Sequence, residues 1–155
     1  MSSSDPLTSA WQPNTAQRNL QRMFAKTHIW VYQASGGRIG HRLGPVKTLL
    51  LTTIGRKTGQ PRLTPITYFP DGDAFVLVAS NYGSSHDPVW LLNLREHPDV
   101  TVRVGTKILQ VQASVATPDE KQRLWPMAVR YQKMYADYQR KTPRNIPLVI
   151  LRPTS

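Results

Sequence analysis

At 155 residues with no cysteine, the chain has the size of one domain, able to bury roughly 70% of its unfolded surface, and it lacks the residues for a disulfide frame, a thiolate metal site or a cysteine nucleophile. No apolar run approaches the ~20 residues of a membrane span and the start of the chain has no apolar signal core, so a soluble, cytoplasmic protein is expected. The formal charge of +11 leaves open an anionic small molecule, an anionic membrane face or a nucleic acid as partner.

Residues 1–13 are rich in Ser, Pro and Thr without a period and read as a flexible lead-in that Trp11 can dock; residues 14–155 are expected to form the single domain. Asn14 or Thr15 caps a helix predicted to run to about residue 34, where Gly36 and Gly37 end it. Leu20, Met23, Phe24, Val31 and Ala34 make its apolar stripe, with Arg18, Arg22 and Lys26 as a basic stripe beside it. Such a helix either packs its apolar face on the domain or lies on anionic lipid, which would give a peripheral contact with the inner face of the cell membrane. Residues 35–47 follow as a glycine-rich basic loop. Its glycines come after a helix and before a strand, the reverse of a dinucleotide-binding fingerprint, so that reading is rejected.

The next stretch anchors the chain. The run LLLTT at 49–53 reads as a short buried strand, and RLTPITYF at 62–69 alternates apolar and polar at strand period. Between them Gly55 and Gly59 allow close backbone approach, while Arg56, Lys57 and Arg62 put three cations within seven residues. The turn is either a solvated basic tip or an anion site in which bare glycine-turn amides and cationic side chains hold phosphate or carboxylate oxygens. The wider charge map favours the second. The first seventy residues hold nine cations against Asp5 alone, a balance of +8, whereas the remainder balances at +3.

Pro70-Asp71-Gly72-Asp73 is a strong turn signal, and residues 74–80 form a nearly continuous apolar strand. A polar loop at 81–88 leads into a short helix at 89–96, with Asp87 as its expected cap and Pro88 at the first helical position. Ser85, His86 and Asp87 are adjacent in sequence, so they cannot converge as nucleophile, base and orienter. Strands at 100–104 and 107–115 flank the two-residue turn Gly105-Thr106, and a run of five strands implies a closed or half-closed barrel. Thr117-Pro118-Asp119-Glu120 carries a capping box, and Pro126 is expected to break the helix after Trp125. A second helical stretch to about residue 139 would then set Tyr131, Tyr135 and Tyr138 on one face, as core or as the wall of a pocket. Residues 142–147 read as a turn before a closing strand at 148–152.

Taken together, LLLTTIGRKTGQPRLTPITYF, VLVASNYG, DPVWLLNLREHPDVTVRVG and YADYQRKTPRNIPLVILRP resemble the deazaflavin-dependent nitroreductase family, a branch of the flavin/deazaflavin oxidoreductases that uses coenzyme F420, in collinear order over residues 20–153. The resemblance implies an α+β fold, an antiparallel split β-barrel of the FMN-binding type with an N-terminal amphipathic helix and flanking helices. It implies hydride transfer from reduced F420 to a conjugated acceptor (a quinone, an enone or a nitroaromatic) with no metal required. F420 carries a phosphate and an oligoglutamate tail, a polyanion suited to a basic half-chain. By the same resemblance Arg56, Lys57, Thr58 and Arg62 hold the phosphate and tail, Pro65, Ile66, Thr67, Val78, Ala79 and Ser80 line the deazaflavin ring, and Val89, Trp90 and Asn93 flank the cofactor channel. Asn81 stands where the family pattern has a lysine, which loses one phosphate contact or passes it to the loop at Gly83. Tyr135 and Tyr138 match the family's substrate-pocket tyrosines, Tyr131 is shifted by one position, and Tyr135, Tyr138, Ser80 or water is the candidate proton source. Barrels of this kind also hold FMN, haem or a tetrapyrrole, which makes FMN the runner-up cofactor. A nucleic-acid-binding module is the remaining alternative; no known motif supports it, so no nucleic-acid partner is expected.

Overall fold

The computed structural model describes residues 42–43 and 46–154; the expected lead-in, the first helix with its basic stripe and most of the glycine-rich loop lie outside that range. In chain order the strands are β1 (Arg42–Leu43), β2 (Val46–Ile54), β3 (Pro61–Asp71), β4 (Ala74–Val78), β5 (Asp99–Val104), β6 (Lys107–Val115) and β7 (Leu148–Pro153). Helix α1 (Val89–Glu96) joins β4 to β5, while α2 (Pro118–Tyr131) and α3 (Met134–Lys141) join β6 to β7. Among the described residues no helix is long and apolar enough to cross a membrane.

All pairings are antiparallel, in the order β1-β2-β3-β4-β7-β6-β5. The β2 strand pairs with β3 along most of its length and with β5 through Leu50–Arg103, Leu51–Val102 and Thr52–Thr101, so β2 to β7 close into a six-stranded barrel. Closure leaves those strands without open edges, and β2 is the shared seam. The one-residue alternation of side chains then sorts the apolar residues into two cores. Leu49, Leu51, Leu77, Val102, Val149 and Leu151 fill the interior, where Leu91 and Leu94 of α1 join them. Val76, Val78, Leu148 and Ile150 point outward and are covered by Leu124 and Ala128 of α2 and Tyr135 of α3. That two-sided burial is why β4 reads as an unbroken apolar run.

The turn residues behave as their chemistry dictates. Thr117 accepts from the Glu120 amide at 3.2 Å while the Glu120 carboxylate accepts from the Thr117 amide at 3.0 Å, the capping box read from sequence. Gly105 has φ +60, as the tight β5–β6 turn requires.

Two local expectations are corrected. Pro126 does not break its helix: α2 runs on to Tyr131 and ends at Gln132, whose φ −143 and ψ 111 are extended. Proline removes one amide donor, and here it sits on an exposed turn where water can serve the freed Gln122 carbonyl. The break therefore falls after Tyr131, which lies on α2 with its ring 5.8 Å from Phe69, while Tyr135 and Tyr138 lie on α3; the three phenols do not share one helix face. Nor does Asp87 cap α1. Pro88 holds the cap position without a side-chain bond, because the Asp87 carboxylate is taken by Arg144 at 2.9 Å and Arg95 at 3.1 Å.

Candidate functional site

The predicted site residues fall into two groups bridged by α1. The first is the β2–β3 tip. Its backbone is drawn tight by Gly55, whose amide donates to the Gln60 carbonyl at 2.8 Å and whose carbonyl accepts from the Gly59 amide at 2.7 Å. A Cβ at Gly55 would stand 2.7 Å from Thr58 Oγ1, so only glycine fits there without a shift, and Gly59 sits at φ +70. The turn is braced from α1: buried Asn93 accepts from the Arg56 amide at 3.0 Å and donates to Thr53 Oγ1 at 3.2 Å. With the Gln60 amide held by Thr58 Oγ1 at 3.2 Å, the amides of Gly55, Arg56, Gly59 and Gln60 are all occupied. The expectation of bare amides is thus overturned at these four positions. An anion at this tip meets side chains: Arg56, Lys57, Thr58 and Arg62 are all exposed.

What marks these side chains is their crowding, three cations within seven residues, since Lys107, Arg130 and Lys133 also lack a carboxylate partner among the described residues. Arg95, Arg123, Arg140, Arg144 and Arg152 each pair with a carboxylate. Arg56, Lys57 and Arg62 pair with none among the described residues. Three uncompensated cations on a hairpin whose backbone is braced form a positive patch.

The second group surrounds the end of β4. Val78, Ala79 and Ser80 are buried, and the segment from Ala79 to Ser84 is held by Arg144. The Arg144 guanidinium donates to the carbonyls of Ser80 at 2.6 Å, Ser84 at 2.9 Å and Ala79 at 3.2 Å, and to Asp87 Oδ1 at 2.9 Å. A planar fork with five donors is the side chain able to satisfy so many acceptors at once. Burial lowers the Arg144 pKa, and the Asp87 charge opposes that shift. The Ala79 amide donates to the Pro147 carbonyl at 2.9 Å, so it is not free for a ligand.

The tyrosines of α3 face this segment. Tyr135 is buried on the outer face of β4 with Val78, and its ring meets Tyr138 at 6.4 Å. Tyr138 is half-buried, its hydroxyl donates weakly to Met134 Sδ at 3.4 Å, and its ring meets Tyr82 edge-on at 6.1 Å. Burial, and then the neighbouring Tyr138, pushes the Tyr135 phenol well above its ordinary value. Burial likewise raises Tyr138, with Tyr82 and Asp137 adding to it. Both hydroxyls therefore keep their protons at neutral pH.

The remaining candidates lie around these groups. Pro65, Ile66 and Thr67 are half-buried on β3 opposite Leu50, Leu49 and Thr48, and Ile66 packs against the barrel interior. Trp90 also rests on that interior core, whereas Val89 is 66% exposed at the start of α1. Asn81 is half-buried and donates to Ser84 Oγ at 2.8 Å and the His86 carbonyl at 3.0 Å, so in place of a cation it organises its own loop. Sequence reasoning missed Arg144, Thr53 and Tyr82. The bonds of the first two, Arg144–Ala79 and Asn93–Thr53, span 65 and 40 residues, separations that leave no periodic trace.

Comparison with known proteins agrees with this architecture. The sequence model of the family described as F420H(2)-dependent quinone reductase matches residues 24–153. The chain is similar to an F420H(2)-dependent quinone reductase of Mycobacterium tuberculosis, 40% identical over 139 residues that cover 87% of this chain and 93% of that protein. A second M. tuberculosis protein, a putative F420H(2)-dependent quinone reductase, is 41% identical over 112 residues, 70% of this chain and 92% of its own. Among solved structures, an F420-H2 dependent reductase (FDR-A) superposes with a TM-score of 0.63 at 34% identity over 68% of this chain and 93% of that one. A haem storage protein of Vibrio cholerae shares the fold alone, at 17% identity over 70% of this chain and 84% of its own, with a TM-score of 0.51. With its family match over nearly the whole described barrel and relatives at this identity and coverage, the chain belongs to the F420H(2)-dependent quinone reductases, oxidoreductases on a split β-barrel.

Proposed function

We propose that the chain binds F420 across its two site groups and reduces a quinone. The observation that carries this reading is the cationic tip: Arg56, Lys57 and Arg62 lack carboxylate partners among the described residues, on a hairpin that Asn93 fixes to the barrel. A phosphate with an oligoglutamate tail supplies the missing negative charge, and exposed side chains on a braced turn can follow an elongated polyanion better than a closed amide nest can. Thr58 keeps a hydroxyl proton to donate after its oxygen accepts from Gln60. On the outer face of the sheet Pro65, Thr67, Val78 and Ser80 offer a wall for the ring, while Ile66 and Ala79 back it from the interior core.

When bound, F420H2 supplies a hydride, and converting a quinone to its hydroquinone takes that hydride and one proton. This chain's share is positioning and proton supply. Tyr138 is the better proton donor, because its hydroxyl rests on a weak thioether acceptor at an accessible position, while Tyr135 is buried behind it and serves as wall. Ser80 lies at the same loop, its carbonyl fixed by Arg144 and its hydroxyl unbonded among the described residues. A cytoplasmic enzyme is the matching location, since the reading needs no membrane anchor. The test follows F420H2 oxidation with a naphthoquinone, a benzoquinone, an enone and a nitroaromatic as acceptors, with FMN replacing F420 in a parallel series. Turnover of quinones with F420H2 supports the reading; a flavin-only enzyme overturns it.

A further inference from the structure

The segment after β4 is the one place among the described residues where non-glycine backbone takes positive φ. Asn81 has φ 46, Tyr82 has φ 58 with ψ 25, and Gly83 follows at φ 76. Three successive left-handed residues are costly, and a bulky aromatic is the side chain least suited to that region. The surroundings hold them there. Asn81 bonds to Ser84 and His86, Ser84 Oγ donates to the His86 carbonyl at 3.1 Å, and Arg144 gathers the Ser80 and Ser84 carbonyls. Gly83 lies so close to α3 that a Cβ would meet the Tyr138 carbonyl at 2.9 Å.

What the strained turn gains is the position of one ring. Tyr82 is not drawn into the core: it stays 51% exposed, edge-on to Tyr138 at 6.1 Å and 79°. Tyr138 in turn meets Tyr135 at 6.4 Å and 60°. The three rings form a row from solvent to core, and its outer member is held at conformational cost with about half of its surface still exposed. Strain of that kind is retained where the placement itself is used.

Resting on the quinone-reductase reading above, we infer that Tyr82 is a specificity-determining residue, the outer wall of the acceptor entrance, selecting flat fused-ring acceptors over single-ring ones by ring-on-ring contact. A half-exposed ring presents a face and an edge to an incoming planar molecule, and Tyr138 stops it from folding away. A fused-ring quinone reaches both Tyr138 and Tyr82; a single-ring quinone has area for one of them.

The test compares wild type with Tyr82→Gly and Tyr82→Phe. Glycine removes the ring and relaxes the left-handed backbone, so the thermal midpoint should hold or rise. F420 affinity should stay within about twofold, while the ratio of kcat/KM for menadione over that for benzoquinone falls by about tenfold. Tyr82→Phe should keep the wild-type ratio. A lowered midpoint with equal loss for both quinones would make Tyr82 a structural residue, and weakened F420 binding would move it to the cofactor side; either result overturns the inference. A second arm titrates menadione and benzoquinone directly into both proteins by fluorescence quenching. If wild type shows no F420H2-dependent turnover, the quinone-reductase reading fails by itself, and weaker menadione binding by Tyr82→Gly still supports the ring contact while unchanged binding refutes it.

Discussion

Asn93 of α1 accepts a hydrogen bond from the Arg56 amide at 3.0 Å and donates one to Thr53 Oγ1 at 3.2 Å, so a buried side chain 37 residues away sets the shape of the cationic tip. Replacing it by leucine strands both groups. Asn93→Leu should cost about 1–3 kcal/mol of stability and weaken F420 binding even though no charge is removed. Denaturant unfolding and F420 titration of the same preparation check this; a destabilised variant with wild-type F420 affinity would detach the brace from the cofactor site.

Arg144 carries a comparable load at the other group. Arg144→Ala leaves the Ser80, Ser84 and Ala79 carbonyls short of a donor and Asp87 short of a partner, which predicts a loss of about 2 kcal/mol or more. Arg144→Lys should recover little of it, because a single ammonium cannot reproduce the planar fork. Full recovery of the thermal midpoint by lysine would show that charge alone is needed there.

Tyr135→Phe removes a buried hydroxyl from the ring row. Turnover or acceptor preference should change with the loss of that hydroxyl, while F420 affinity stays nearly constant because phenylalanine keeps the ring that forms the wall. Steady-state kinetics with several quinones decide it, and unchanged constants for all of them would remove Tyr135 from the catalytic account.

The raised phenols set the alkaline behaviour. Burial favours the neutral form of Tyr135 and Tyr138, so the stability tied to those protons is full below the ordinary value of 10.0 and is lost as pH climbs from there through the raised values. Activity should show no alkaline fall from tyrosine ionisation up to that ordinary value. A tyrosinate absorbance step below it, lost in Tyr138→Phe, would contradict the assignment.

Much of the fold was legible because local chemistry and global packing agree. The Thr117 capping box, the Gly105 turn and the two-sided apolar run of β4 each have a signal within a few residues. Misreadings arose where another partner or solvent took over from the local signal. Asp87 looks like a helix cap until Arg144 and Arg95 claim its carboxylate, and Pro126 looks like a stop until an exposed turn tolerates it. At the site, the three cations of the tip were visible in sequence, but the use of its amides by Asn93, Gln60, Gly55 and Thr58 was not. Tyr82 carried no signal at all, since nothing in the order Asn-Tyr-Gly announces three left-handed residues in a row.

The central claim is that the β2–β3 tip cradles a polyanion, and a tryptophan-quenching titration with F420 tests it most directly, wild type against Arg56→Ala/Lys57→Ala. Each exposed pairing is worth about 0.2–1 kcal/mol, so the double variant should bind roughly tenfold more weakly, and wild-type affinity should fall as salt shortens the Debye length from about 10 Å at 0.1 M to about 3 Å at 1 M. Equal affinity of the two proteins for F420, indifferent to salt, would contradict the account.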